Sequence, residues 1–468
     1  MRQKKRERKM GQMEEQEKVT KLFGTDGIRG IANRYPITPE VGTELGRAVT
    51  DYCRKMERSP RVVIGRDTRN SGEMLQFAVA AGVLSAGGKV FLTGRIPTPG
   101  IAYLVRHFGA GAGVVLSASH NPGEYNGFKL FSARGFKLSD DEESRIEEMI
   151  LSREQYCSSG DTGRAEMRED AWRLYMDFLE KTVTPETPLK GMRLVIDCAN
   201  GATFQVAPEL FKKFGATVST LFAEPDGKNI NDGCGSQHPE ILQQEVVKIG
   251  ARAGLAFDGD GDRLVAVDEK GQLLSGDQII AICAGDLKEQ GRLQNNLVVS
   301  TVMSNMGLRV ALEHMGVQQV TTRVGDRYVM EAMKEKGAIL GGEDSGHLIF
   351  LHHHTTGDGI LSGLQLLSAM LRTRKPLSEL RRSMIIFPQT LINVPVRNKP
   401  EILSIPEVRA VIQRVEQALG DRGRVLVRFS GTEPLCRVMV EGENRDDVER
   451  YAAEIAEAID QAIGSKKA

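Results

Sequence analysis

Short apolar runs recur along this chain, each separated from the next by a stretch of helical periodicity, and that alternation limits the fold class before any motif is read. Residues 61–65 (RVVIG), 89–93 and 113–116 read as strands, with a helix over 73–86. Strands this short and apolar lie buried between helices, so the spacing predicts an α/β fold. The pattern repeats with a helix at 172–179, a strand at 193–197, a helix at 205–214 and a strand at 217–221. A third stretch, from Asp277 to about Arg374, holds strands at 296–300 and 338–340 around a helix at 306–315. Ser139 and Glu142 form a capping box ahead of a charged helix reaching about Leu151. Residues 152–168 are polar and aperiodic, which marks a boundary. Residues 388–400 (PQTLINVPVRNKP) are expected to be a linker into a last, smaller unit. There Val408, Val411, Ile412, Val415 and Leu419 give one apolar helix face. Strands at 425–429 and 436–440 and a closing amphipathic helix from Asn444 follow. No internal repeat is legible in the sequence. The expected division is a tail at 1–18 and domains at 19–170, 171–274, 275–385 and 386–468.

Charge narrows the partners. Lys and Arg total 62 and Asp and Glu total 62, so the net charge is zero, which argues against a protein that coats nucleic acid. Aromatic residues are 5% of the chain and Trp172 is the sole tryptophan, a poor basis for stacking surfaces. Glycine is in excess, at 50 of 468 residues, as expected of loops that curl tightly or approach a ligand closely. Cys53, Cys157, Cys198, Cys234, Cys283 and Cys436 are too dispersed for a zinc or iron–sulfur site and read as reduced thiols of a cytoplasmic protein. No apolar run approaches the ~20 residues that span a bilayer, and the charged N-terminus has no apolar core of a secretory signal. A disordered tail is expected there.

The chemistry sits in polar loops. FDGDGDR, residues 257–263, lies between the apolar runs GLAF and LVAV and sets Asp258, Asp260 and Asp262 two apart with glycines between. Three carboxylates so close repel unless they share a hard cation, and magnesium fits that donor set. The rival readings are a solvated acidic hairpin and a calcium-binding EF-hand, since Glu269 falls at the twelfth position. Arg263 at the sixth position and the strand-like LVAV count against the latter. SASHNP, residues 117–122, places a hydroxyl at a strand end without a G-x-S-x-G elbow, and neighbouring His120 is not expected to face Ser119 as a triad base. Beside an acidic metal loop, such a hydroxyl points to phosphoryl transfer. RFSGTEP, residues 428–434, offers Ser430, Gly431 and Thr432 in a turn flanked by Arg428 and Arg437, suited to a phosphate dianion or to a plain hairpin. GEDSGH at 342–347 and GTDGIRG at 24–30 add polar groups in glycine-flanked turns.

In this order GTDGIRG, SASHNPGEYNGFK, DGDGDR, GEDSGH and RFSGTEP, with TTGDG at 355–359, resemble the motif set of the α-D-phosphohexomutase family over nearly everything after the tail. FGTDGIRG, VGDRYV at 324–329 and SGTEPLCRVMVEG resemble its bacterial amino-sugar branch rather than its glucose or mannose branches. The resemblance implies three similar α/β domains plus a smaller C-terminal α+β domain around a central cleft. It implies a phosphorylated Ser119, one Mg²⁺ held by Ser119, Asp258, Asp260 and Asp262, and a sugar bisphosphate as activator and intermediate. Glu343 and Ser345 would bind sugar hydroxyls. Arg428, Ser430, Gly431, Thr432 and Arg437 would take the non-transferred phosphate, and Arg29, Lys129 and Arg263 would surround the transferred group. Lys129 and His347 are the candidates for proton transfer. The expected reaction interconverts glucosamine 6-phosphate and glucosamine 1-phosphate on the route to UDP-N-acetylglucosamine, in a cytoplasmic monomer or homodimer without nucleic-acid or membrane partners. Phe429 departs from the family pattern inside the phosphate loop, and Asp344 makes the sugar loop more acidic. The alternatives are a glucose- or mannose-phosphate mutase of the same family and, from another class, a non-catalytic calcium-binding protein.

Overall fold

A computed structural model describes residues 21–24, 26–152, 161–183, 189–430 and 433–465. The expected tail, Cys157, Gly431 and Thr432 lie outside the described residues. Among the described residues the strands form four sheets.

The first sheet contains β1 (Ile28–Ile31), β2 (Arg61–Arg66), β3 (Lys89–Arg95), β4 (Ala112–Leu116), β5 (Tyr125–Ser132) and β6 (Arg164–Met167) in the order β1-β5-β4-β2-β3-β6. β4, β2, β3 and β6 run parallel, whereas β5 is antiparallel to both β4 and β1. The helix Ser71–Ser85 packs on this sheet and the helix Pro39–Lys55 packs against that helix, with Leu45, Val49, Leu75, Val79 and Val83 in one core. The Ser139–Glu142 capping box forms as expected: the Ser139 N–H reaches Glu142 Oε2 at 3.0 Å and the Glu142 N–H reaches Ser139 Oγ at 3.3 Å.

The second sheet, β7 (Arg193–Asp197), β8 (Thr217–Leu221), β9 (Ala253–Phe257), β10 (Leu264–Asp268) and β11 (Leu273–Leu274), has the order β11-β10-β9-β7-β8. The third, β12 (Leu297–Thr301), β13 (Gln318–Thr322), β14 (Leu340–Gly342) and β15 (Leu348–Phe350), has the order β13-β12-β14-β15. All three sheets share one plan. A first parallel strand sits between the second and the third, and the third turns back through a hairpin into an antiparallel fourth. Each plan has its switch point between the first and third strands, where open α/β sheets bind ligands beyond their carboxyl ends.

The fourth sheet, β16 (Gln389–Pro395), β17 (Gly423–Phe429) and β18 (Leu435–Gly442), is antiparallel in the order β16-β18-β17 and is covered by helices at Pro406–Leu419 and Arg445–Ile463. The linker expected at 388–400 is corrected here, because Gln389–Pro395 pairs along its whole length with β18. Its prolines bracket an edge strand, where a missing N–H costs no ladder bond. By its contacts the chain divides into two compact units, 1–302 with 319–381, and 303–318 with 382–468.

Candidate active site

β4 is buried throughout and delivers Ser117, Ala118 and Ser119 at its carboxyl end. Ser119 is 1% exposed and adopts φ 52°, a left-handed conformation that costs a residue with a Cβ about 1 kcal/mol. Its surroundings impose that conformation. The Ser119 N–H donates to Ser117 Oγ at 2.9 Å, and its carbonyl accepts from Arg69 Nη2 at 3.0 Å and Asn231 Nδ2 at 2.9 Å. Ser117 Oγ in turn donates to Asp67 Oδ2 at 2.6 Å, and Asp67 is paired with the wholly buried Arg69 at 2.8 Å. The Ser119 hydroxyl donates to Asp258 Oδ2 at 2.6 Å. His120 turns toward Ser119, with Nδ1 3.4 Å from Oγ. The left-handed turn curls the chain enough to allow it, but the contact is long. Burial, with Arg263 and Arg29 nearby, pushes the His120 imidazole down to about 4, so it stays neutral.

The β9–β10 hairpin closes on the Phe257–Leu264 pair and carries Asp258, Asp260 and Asp262, which are 1%, 1% and 3% exposed. These carboxylates are not solvated, which removes the acidic-hairpin reading. One oxygen from each lies within 4.8 Å of the others. Asp260 Oδ1 and Asp262 Oδ1 are buried without a hydrogen-bond partner. Burial first, then Asp262 and Asp260, hold the Asp258 carboxyl well above the usual carboxylate range. Orphaned, mutually repelling buried oxygens are the donor set of a hard divalent cation, so the residues present fit a metal ion. The EF-hand reading fails on geometry, because β10 follows the loop and Glu269 turns away to accept from the Ser378 N–H at 3.3 Å.

Cations face this loop. Lys129, on β5 and 1% exposed, lies 2.7 Å from Asp260, 3.4 Å from Asp262 and 3.3 Å from Asp26. Burial alone would lower its ammonium, but Asp26, Asp260 and Asp262 outweigh that and hold it above its ordinary value. Thr98 Oγ1 donates to Asp260 Oδ2 at 2.6 Å. The Arg263 N–H donates to Asp258 Oδ1 at 3.1 Å. Arg29 pairs with Asp26.

The β14–β15 hairpin supplies the third set. Glu343 Oε1 accepts from the Gly325 N–H at 2.9 Å, Ser345 is exposed, and His347 is buried. His347 Nδ1 is 3.7 Å from Asp262 Oδ2, and its Nε2 is 3.5 Å from Asp326 Oδ2 and accepts from the Gly357 N–H at 3.2 Å. Lys137 bridges Asp26 and Asp326, reaching the latter at 2.5 Å. Asp26, Lys129, Asp262, His347, Asp326 and Lys137 thus form a closed ring in which carboxylates alternate with two lysines and an imidazole across all three sheets. A cleft of about 440 Å³ opens beside it, lined by Asp26, Arg29, Lys137, Asp262, Arg263, Glu343 and His347.

The structure therefore brings Ser119, Lys129, Arg29, His347, Asp258, Asp260, Asp262, Arg263 and Glu343 into one region and leaves Ser345 at its exposed margin. Reading the sequence missed Asp26, Lys137, Asp326, Thr98, Asp67, Arg69 and Asn231. Asp26 and Asp326 stood inside quoted motifs, whereas Lys137 and Thr98 carried no local signal.

In the C-terminal unit, Arg428 and Arg437 face each other across the β17–β18 ladder. Ser430 is buried at the turn, where its Oγ accepts from the Glu433 N–H at 3.2 Å and its carbonyl accepts from Lys399 Nζ at 2.6 Å. Arg437 also reaches Glu433 at 3.3 Å. Lys399 is a further cation that the sequence did not single out.

A buried serine hydroxyl on a carboxylate triad fit to hold a metal ion, displayed by repeated α/β sheets, defines a phosphoryl-transfer enzyme of the phosphohexomutase class. Models of the Phosphoglucomutase/phosphomannomutase family match in order: α/β/α domain I at residues 20–157, domain II at 173–271, domain III at 275–386 and the C-terminal domain at 391–458. The chain belongs to this family. A Phosphoglucosamine mutase of Syntrophus aciditrophicus is 53% identical over 95% of this chain and 100% of that protein. Another, from Myxococcus xanthus, is 51% identical over 95% and 97%. A solved Phosphoglucomutase/phosphomannomutase family protein from Burkholderia thailandensis matches with TM-score 0.79 and 25% identity over 94% of this chain and 97% of that one. The Aspergillus fumigatus N-acetylphosphoglucosamine mutase, solved with GlcNAc-6P and magnesium, shares the fold at TM-score 0.70 and 18% identity over 95% and 96%. Among the described residues no helix is long and apolar enough to cross a membrane.

Proposed function

We propose that this chain interconverts glucosamine 6-phosphate and glucosamine 1-phosphate, as a phosphoglucosamine mutase does. The observation that carries the reading is the Ser119 hydroxyl, 2.6 Å from Asp258 in a buried loop facing the carboxylate triad. Ser119, Asp258, Asp260 and Asp262 would hold Mg²⁺, which when bound offsets the charge of a phosphoryl group on Ser119. In the forward direction the sugar's C1 hydroxyl takes the phosphoryl group from Ser119 to give a sugar 1,6-bisphosphate. After reorientation the C6 phosphate returns to Ser119, so the enzyme ends as it began. Lys129, within 3.4 Å of three carboxylates, acts as a fixed cation rather than as the proton-transfer group, leaving His347 in that role. Arg29 and Arg263 would bear on the transferred group. Glu343 would accept from sugar hydroxyls, with Ser345 at the rim of the same loop. Arg428, Ser430, Gly431, Thr432 and Arg437 would take the other phosphate, joined by Lys399.

The deciding experiment compares turnover of glucosamine, glucose and mannose 6-phosphates, with and without a sugar bisphosphate primer. The amino sugar is expected to be preferred and the primer to raise turnover of dephosphorylated enzyme. Equal or better use of glucose or mannose phosphate would assign the chain to the other branches of the family.

A further inference from the structure

Residues 354–359, which include the TTGDG segment, belong to none of the roles above, yet they touch the first sheet's domain, His347 and the carboxylate loop. His354 Nε2 lies 2.9 Å from the Pro99 carbonyl, and Thr355 Oγ1 donates to the Gly135 carbonyl at 2.6 Å, both in the first sheet's domain. The Gly357 N–H donates to His347 Nε2 at 3.2 Å. Asp358 caps the helix Gly359–Thr373 by accepting from the Leu361 N–H at 3.0 Å, and it accepts from the buried Tyr175 hydroxyl at 2.7 Å. The Gly359 N–H donates to the Gly261 carbonyl inside the carboxylate loop at 3.0 Å.

Neither glycine is there for its backbone angles; both are there for closeness. A Cβ on Gly357 would sit 2.4 Å from His347 Nε2, and one on Gly359 would sit 2.3 Å from the Arg263 carbonyl oxygen. Contacts that short require the ring or the loop to move.

We infer that residues 354–359 are a positioning clamp: Gly357 fixes the His347 ring and Gly359 fixes the carboxylate loop, each by backbone contact. The inference rests on the reading of His347 as a group that faces the reaction. The two glycines act on different partners, so their substitution has separable effects.

The test uses the full chain. Gly357→Ala is expected to lower kcat by ~10²-fold with KM little changed, as a group displaced by about 1 Å does. Mn²⁺ affinity, read by electron paramagnetic resonance on dephosphorylated protein, stays at the wild-type value. In a His347→Ala background, where the ring is gone, Gly357→Ala has no further effect. Gly359→Ala instead weakens Mn²⁺ binding by at least about tenfold. Multiplicative losses in the double variant, or an unchanged kcat for Gly357→Ala, would overturn the clamp. Full turnover by His347→Ala alone would overturn the role of His347, with the Gly359 arm still judging the clamp. Should Gly357→Ala not fold, Thr355→Val removes the anchor to Gly135 without adding bulk. It is expected to lower kcat several-fold, and again to do nothing in the His347→Ala background.

Discussion

Ser119 owes its place to neighbours that are themselves held. The Asp67–Arg69–Ser117 network and Asn231 fix its backbone, so its placement depends on residues outside the carboxylate loop's triad. Ser119→Ala is expected to remove the single-phosphate mass increment of the purified protein and to cut turnover on the order of 10³-fold or more; a phosphate that persists on the alanine variant would place the phosphoryl group elsewhere. Asp260→Asn removes one of the orphaned oxygens and is expected to weaken Mn²⁺ binding ~10- to 100-fold in a titration. The carboxylate triad and the serine were legible in the sequence because each occupies one short loop whose spacing already states its chemistry. Asp326 and Lys137 were not, because their meaning is the ion pair they make with each other and with Asp26, between residues that only the packed sheets bring together.

Among the elements, the apolar runs located the strands well because burial on both faces demands such runs. Exceptions were β1, β5, β13 and β15, which were not read as strands, β6, which lies inside the polar stretch 152–168 read as a boundary, and β16. The prolines of β16 suggested a linker, but a strand that pairs on one side only, with β18, leaves its other edge indifferent to a missing N–H. The turn that begins at His354 carries a prediction of its own. Its ring is buried, Nδ1 accepts from the Thr355 N–H at 2.9 Å and Nε2 faces the Pro99 carbonyl, an arrangement that suits only neutral imidazole. Burial pushes it down to about 4 from an ordinary 6.5. The unfolded chain therefore binds the proton first as pH falls. The stability this ring contributes is complete above pH 6.5 and is lost as pH falls through 4, about 3 kcal/mol in all. Thermal melts of the wild type should drop between pH 7 and 4.5 more steeply than those of His354→Gln, and parallel curves would show that the ring is not the group responsible.

At the scale of the whole molecule, Ser119, Asp258 and Glu343 hold the same position: each follows the third strand of its sheet, in the hairpin to an antiparallel fourth. That threefold plan was legible only through the family resemblance, because it is kept in strand order and not in residues. The C-terminal unit has its own keystone in Glu441, which is fully buried, accepts from the Met306 N–H at 2.8 Å and pairs with Arg424 at 2.7 Å. Glu441→Ala is expected to cost roughly 3 kcal/mol, visible as a lower urea midpoint for the transition of that unit, while Mn²⁺ affinity at the triad is unchanged. The same unit takes residues 303–318 from the middle of the chain. During synthesis, that stretch leaves the ribosome well before residues 382–468 exist to receive it. The first sheets can close while it waits, but the backbone N–H of Met306 has no partner until Glu441, 135 residues downstream, has been made, so this unit cannot finish folding on the middle of the chain alone.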